Sequence, residues 1–171
     1  MDPGSGNVLH MLPHGDHFVS AAMVVEHSKQ IITGDSAGEI RVWQVETGHL
    51  ERRFQAHKHG INCLSTSTDG WLMATASSDK SIALWDTKTF QRKGESCSIH
   101  GDEDRIEFLN DGQTLVAIGG TAGISFFDIS DQQQVVNIPW EDSVRSYAIS
   151  PDRSQIAVKS LNRIRIYQGQ P

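Results

Sequence analysis

The chain has 171 residues, 37% of them hydrophobic, which suits one globular unit with a sizeable core and leaves no room for a second large domain. Its formal charge of −6 excludes general binding to nucleic acid or to anionic membranes, since both need concentrated positive charge. Its apolar stretches, such as 18–25 with Ser20 inside, fall far short of the ~20 residues of a membrane-spanning helix.

Read in chain order, residues 7–12 align with the segment after Trp43. Ser5-Gly6-Asn7-Val8 matches Thr47-Gly48-His49-Leu50, and Leu12 matches Phe54, so an outer strand over 7–12 is expected. A first repeat unit follows over 18–57. The second, over 60–99, is the clearest. It reads as a strand from Ile61 to Ser67, a Thr68-Asp69-Gly70 turn, and a buried strand from Trp71 to Ala76. A Ser78-Asp79-Lys80 turn, a strand from Ser81 to Trp85, a turn over Asp86 to Thr89, and a polar outer strand from Phe90 to Cys97 complete it. Units over 102–139 and 143–167 repeat the order, with Asn110-Asp111-Gly112 and Ser150-Pro151-Asp152 in the place of Thr68-Asp69-Gly70. Four alternating strands that end in an aromatic, Glu39 to Trp43, Ser81 to Trp85, Gly123 to Phe127 and Arg163 to Tyr167, mark the repeat. Their terminal aromatics are 42, 42 and 40 residues apart. No stretch shows sustained helical periodicity. Strands that are apolar on both faces, such as Thr114 to Ile118, need cover on two sides, which radial stacking of sheets supplies. The expected class is all-β, a propeller of four four-stranded antiparallel blades in one domain over 1–171.

These residues resemble the Trp-Asp (WD) repeat β-propeller family, most closely over Thr75-Ala76-Ser77-Ser78-Asp79-Lys80-Ser81-Ile82-Ala83-Leu84-Trp85-Asp86. The resemblance implies a hydrogen-bonded chain through His57, Ser77, Asp79 and Trp85, which satisfies a buried indole N–H and a buried carboxylate together. Only the second unit is expected to hold it complete. Ala37 stands at the Asp79 position in the first, Gly119 and Thr121 stand at the Ser77 and Asp79 positions in the third, and Tyr167 replaces the Trp in the fourth. The resemblance also implies a partner-binding face. It maps to Phe18, Ser20 and Ser36, to Gly60, Asn62 and Ser78, to Asp102, Asp104 and Gly120, and to Ser143 and Arg145. In such rings an N-terminal strand completes the last blade, a role that falls to residues 7–12. Three arrangements stay open: a ring closed within one chain, an eight-blade ring of two copies, and part of a longer protein.

Catalytic signals are weak. Gly34-Asp35-Ser36-Ala37-Gly38 matches a hydrolase elbow, but a strand follows where that motif needs a helix. His10, His14 and His17, and His57 with His59, lack the further ligands of a metal site. Asp102-Glu103-Asp104 lacks the spaced oxygens and glycine of a calcium loop. Arg52, Arg53, His57, Lys58 and His59 read as a solvated strand and turn, with an acidic-partner site as the alternative. Cys63 and Cys97 give neither a disulfide framework nor zinc spacing, and no phosphate-binding glycine motif is present. The start, Met1 to Gly6, lacks the basic and apolar parts of a secretory leader. The expectation is a non-catalytic scaffold without metal or cofactor, cytoplasmic with the nucleus open, that holds a protein or peptide partner and pairs with neither nucleic acid nor membrane. A homodimer is one option. The alternatives are a channel binding metal or a small molecule, and a piece that completes a partner's incomplete propeller.

Overall fold

Runs of β-branched and aromatic residues set between Gly, Asp and Ser turns fold as strands. A computed structural model describes residues 8–99, 105–109, 112–119, 123–130, 134–138, 146–152, 154–159 and 163–168. Among them there is no α-helix, only a 3-10 turn at Glu26–Ser28.

Four antiparallel sheets follow one another along the chain. The first holds β1 (Val19–Val25), β2 (Gln30–Asp35), β3 (Glu39–Gln44) and β4 (Leu50–Gln55). The second holds β5 (Ile61–Thr66), β6 (Leu72–Ser77), β7 (Ser81–Asp86) and β8 (Arg92–Ser98), and the third β9 (Arg105–Phe108), β10 (Thr114–Gly119), β11 (Gly123–Asp128) and β12 (Gln134–Ile138). The fourth holds β13 (Ser146–Ile149), β14 (Gln155–Lys159) and β15 (Ile164–Gln168). In each sheet the second and third strands pair in one register, with Ile32 opposite Val42, Ala74 opposite Leu84, Val116 opposite Phe126 and Ala157 opposite Ile166.

The core lies between the sheets. Ile32, Ile40 and Val42 meet Ile61, Met73 and Trp85 between the first and second. Ala76, Ile82 and Leu84 meet Ile106, Phe108 and Leu115 between the second and third. Val116, Ile118 and Ile124 meet Ile156 and Val158 between the third and fourth. Central strands are thus buried on both faces, which explains their unbroken apolar runs. No apolar cluster of the described residues joins the fourth sheet to the first.

Turn chemistry repeats as well. Asp69 Oδ1 accepts from Ser67 Oγ at 2.6 Å and from the Trp71 amide at 3.0 Å, and Asp152 Oδ1 accepts from Ser150 Oγ at 2.5 Å and from the Ser154 amide at 3.2 Å. These are the short side-chain turns that Ser and Asp favour.

Three expectations change. Trp71 does not open β6. It sits in the preceding turn, half exposed, with its ring 5.2 Å from that of His27. Phe90 does not open β8. It takes a left-handed conformation with φ 55°, and its amide donates to Asp86 O at 2.8 Å to close the turn. The outer strand expected over 7–12 is absent from 8–12, and residue 7 lies outside the described residues. The segment lies against the turn at the end of β3, where His10 Nε2 is 3.0 Å from Glu46 O. Its backbone joins no ladder, and the fourth sheet has three strands among the described residues.

Candidate binding face

The turns that lead into β1 and β5, and those that join β2 to β3 and β6 to β7, lie at one end of the first two sheets. Their rigidity starts in the second sheet with a buried polar chain. Trp85 Nε1 donates to Thr75 Oγ1 at 3.0 Å, Thr75 Oγ1 lies 2.7 Å from His57 Nε2, and His57 Nδ1 lies 3.1 Å from Asp79 Oδ2. A neutral imidazole carrying its proton on Nδ1 satisfies every link, with the Thr75 hydroxyl donating to Nε2 and Nδ1–H donating to the carboxylate. Burial holds the His57 imidazole below its ordinary value, against the opposing pull of Asp79. At Asp79 burial alone would raise the carboxyl. Hydrogen bonds from Ser81 and the Lys58 amide, with His57 beside it, bring it below its ordinary value.

Thr75, and not Ser77, carries the link. Both point to the same face of β6, since alternate residues do, but His57 and Trp85 meet one pair deeper in the strand. Ser77 Oγ instead donates to His59 O at 3.1 Å and accepts from the Asp79 amide at 3.1 Å, which ties the turn.

The first sheet builds most of the same chain. His14 Nε2 is 2.8 Å from Thr33 Oγ1, and Trp43 Nε1 donates to Thr33 Oγ1 at 2.9 Å. Its carboxylate comes from Asp35, at the place of Ser77, and Asp35 Oδ1 accepts from the Ala37 and Glu39 amides at 2.9 and 3.0 Å. Asp35 Oδ2 stands 3.8 Å from His14 Nδ1 and 3.9 Å from Arg41 Nη2, and neither it nor His14 Nδ1 has a hydrogen-bond partner among the described residues. Burial, with Arg41 nearby, holds His14 below the ordinary imidazole value. Nothing in the residue types at the Asp79 position signals Asp35, which sits two residues earlier. In the third sheet Ala117 replaces Thr75, so that chain has no hydroxyl to pass through.

On these supports the face residues come together in two groups. The Phe18 amide donates to Ser36 Oγ at 3.2 Å, and the Ser36 amide returns a bond to Phe18 O at 2.9 Å. The Ser78 amide donates to Gly60 O at 3.0 Å, and Ser78 Oγ donates to Asn62 Oδ1 at 2.9 Å. Ser20 and Asn62 are each the extra residue of a bulge, the first between Val19 and Ala21 and the second between Ile61 and Cys63, which re-aims both side chains. Ser20 Oγ donates to Ile61 O of the second sheet and lies 3.2 Å from Gly34 O of the first, and so bridges the two sheets. Gly38 fixes the turn between them. Its φ is 82°, and a Cβ there would lie 2.5 Å from the carbonyls of His57 and His59. Phe18 stands out with 82% of its surface exposed, where the second sheet has Gly60. Asp102, Asp104, Gly120, Ser143 and Arg145 lie outside the described residues.

The other candidates separate. Ser36 stands between two strands, so the elbow geometry of a nucleophile is missing. His14 is buried in its chain while His10 lies on Glu46 O, and no group of three His, Cys, Asp or Glu that could hold a metal occurs among the described residues. No described helix is long and apolar enough to cross a membrane.

Residues 48–86 match the family described as WD domain, G-beta repeat. Periodic tryptophan protein 2 of Saccharomyces cerevisiae is 29% identical over 133 residues, 77% of this chain and 14% of that protein. Cilia- and flagella-associated protein 52 of Mus musculus is 31% identical over 93 residues, 53% of this chain and 15% of that protein. The homolog of periodic tryptophan protein 2 in Neurospora crassa is 24% identical over 151 residues, 85% of this chain and 17% of that protein. The chain thus spans less than a fifth of the length of these relatives. With its repeated four-strand sheets, its Trp-terminated strands and the match over 48–86, it resembles the WD-repeat β-propeller family, and that stretch is its matched repeat.

Proposed function

We propose that the chain is a non-catalytic scaffold that holds a protein or peptide partner on the turn face around Phe18, inside the cell. The exposure of Phe18 beside backbone-pinned Ser36 carries the reading. A large apolar ring held in water by a rigid turn is the kind of anchor on which interfaces concentrate their energy, and Ser20, Asn62 and Ser78 provide a polar rim around it. Similarity to WD-repeat proteins, which generally bind protein partners, supports the class of function. Lys58, exposed next to this rim, adds positive charge against an overall charge of −6 and favours an acidic segment in the partner.

Replacement of Phe18 tests this. Proteins captured from a lysate on immobilised chain are expected to fall at least about tenfold with Phe18→Ala, the loss of an anchor worth ~2 kcal/mol, at an unchanged melting temperature. Equal capture by both chains would remove this face from consideration.

A further inference from the structure

Several cations of the first two sheets already have their partners. Lys29 Nζ lies 2.6 Å from Glu46 Oε1, Arg41 Nε 2.7 Å from Glu39 Oε1 and Lys93 Nζ 3.9 Å from Asp86 Oδ2, while Arg52 Nη1 donates to Thr89 O. Lys58 and Arg92 differ. Neither the ammonium nor the guanidinium has an ion pair or a hydrogen bond among the described residues, and both groups are exposed. They line one open pocket of about 450 Å³ together with Gln55, His57, Asp79 and Ser81.

The walls of this pocket are fixed. Gln55 Nε2 donates to Ala37 O and to His57 O, each at 2.7 Å, which ties the pocket to the turn that carries Ser36. The Arg92 guanidinium stands 6.0 Å from the centre of the Trp85 ring, whose N–H is held by Thr75, and a cation over an aromatic face at this range is attracted to it. Its position is set before any partner arrives. Asp79 brings the single negative charge, yet its two oxygens already accept from the Ser81 amide and hydroxyl, the Lys58 amide and the His57 imidazole. Burial, with Arg92 adding to it, keeps that imidazole neutral near pH 7. Two cations against one carboxylate leave the pocket with a surplus of one positive charge.

We infer that this pocket seats a side-chain carboxylate of the partner, a glutamate or aspartate within an acidic segment laid along the turn face. The inference rests on the reading of that face as the partner-binding surface and adds where the acidic group goes. Charge complementarity selects the occupant. The chain is −6 overall and positive here, so a basic segment is repelled from the pocket and an acidic one is drawn to it. A singly charged carboxylate cancels the surplus, whereas a phosphate of about −2 overshoots it. The planar fork of Arg92 also matches the two oxygens of a carboxylate.

Fluorescence anisotropy of an end-blocked, dye-labelled peptide of six glutamates, titrated with the full chain at low salt, reads the seat directly. Six glutamates are expected to bind, and six glutamines are not. Arg92→Gln and Lys58→Gln should each weaken binding about fivefold, and the double variant more than either, at unchanged β-sheet circular dichroism. Lys88→Gln removes an exposed cation that does not line the pocket and is expected to leave binding as it is. Should Arg92→Gln disturb the packing on Trp85, Lys58→Gln still decides, because its side chain stands in water and its amide keeps the bond to Asp79. Absence of glutamate binding, or an equal loss with Lys88→Gln that marks diffuse charge, overturns the inference. So does tighter binding of a peptide of about equal charge in which three phosphoserines alternate with three glutamines. The peptide has no apolar side chain and reads the seat alone, while capture by Phe18→Ala reads the anchor, so failure of one is seen apart from failure of the other.

Discussion

The first and second sheets meet the same requirement with carboxylates from different places. In the second, Asp79 comes from the turn and touches His57 at 3.1 Å, while in the first, Asp35 comes from the end of the strand and stops 3.8 Å short of His14. Both place a Thr hydroxyl between an indole N–H and an imidazole. The hydroxyl is thus the shared element, since it satisfies two buried groups at once, and the carboxylate is the adjustable one. A buried donor or acceptor left alone costs its full desolvation, about 1–3 kcal/mol, so the two halves of the chain should differ in weight.

The largest effect is expected from removing the shared element. Thr75→Val keeps the shape but leaves the Trp85 N–H and His57 Nε2 unpaired, and denaturant unfolding should show a loss of about 2–4 kcal/mol. Thr33→Val is the matched change, expected within about 1 kcal/mol of it. A large gap between the two would show that the sheets are not equivalent at this point.

Next comes the carboxylate. Asp79→Ala removes the acceptor for His57, Ser81 and the Lys58 amide and should cost about 1–3 kcal/mol. Asp35→Asn keeps an oxygen for the Ala37 and Glu39 amides and removes a charge that faces His14 and Arg41 at 3.8 and 3.9 Å without a hydrogen bond, so a change of about 1 kcal/mol, smaller than that of Asp79→Ala, is expected. Equal costs would mean that the 3.8 Å gap closes in solution.

The smallest effect is the response to pH. His14 and His57 are both held below 6.5 in the folded chain, so on acidification the unfolded chain binds protons first and stability falls as pH drops below that value. Asp79 is held below 3.8, so its contribution is present above that value and is lost as pH falls through its lowered one. Melting temperatures from pH 7 to pH 5 should decline less steeply in His57→Gln than in the parent. Parallel lines would place the sensitivity on other groups.

Much of this architecture was legible from spacing alone, because turn residues and alternating strands are local signals. The aromatic-terminated strands stand at β3, β7, β11 and β15, and their pairing follows from the repeat. What escaped depends on depth and neighbours. Thr75 and Ser77 share a strand face, and only the position of His57 in space chooses between them. Asp35 was hidden because its carboxylate comes beside the imidazole from the end of β2, two residues before the Asp79 position. Trp71 and Phe90 look like strand openers by hydrophobicity, yet each sits in a turn beside an aromatic ring of a neighbouring element, His27 of the 3-10 turn for Trp71 and Phe54 of β4, at 6.1 Å, for Phe90. The exposure of Phe18, just ahead of β1, depends on what surrounds it in space and not on its place in the repeat.

Cys63 offers a gauge of how firmly neighbouring sheets hold together. Its sulfur spans the gap between the second and third sheets, 3.4 Å from the Ile106 amide, and burial raises its thiol above the ordinary value. Parting of those two sheets therefore speeds attack by a thiolate-seeking reagent on the partly buried Cys63, and its labelling rate reads out that breathing.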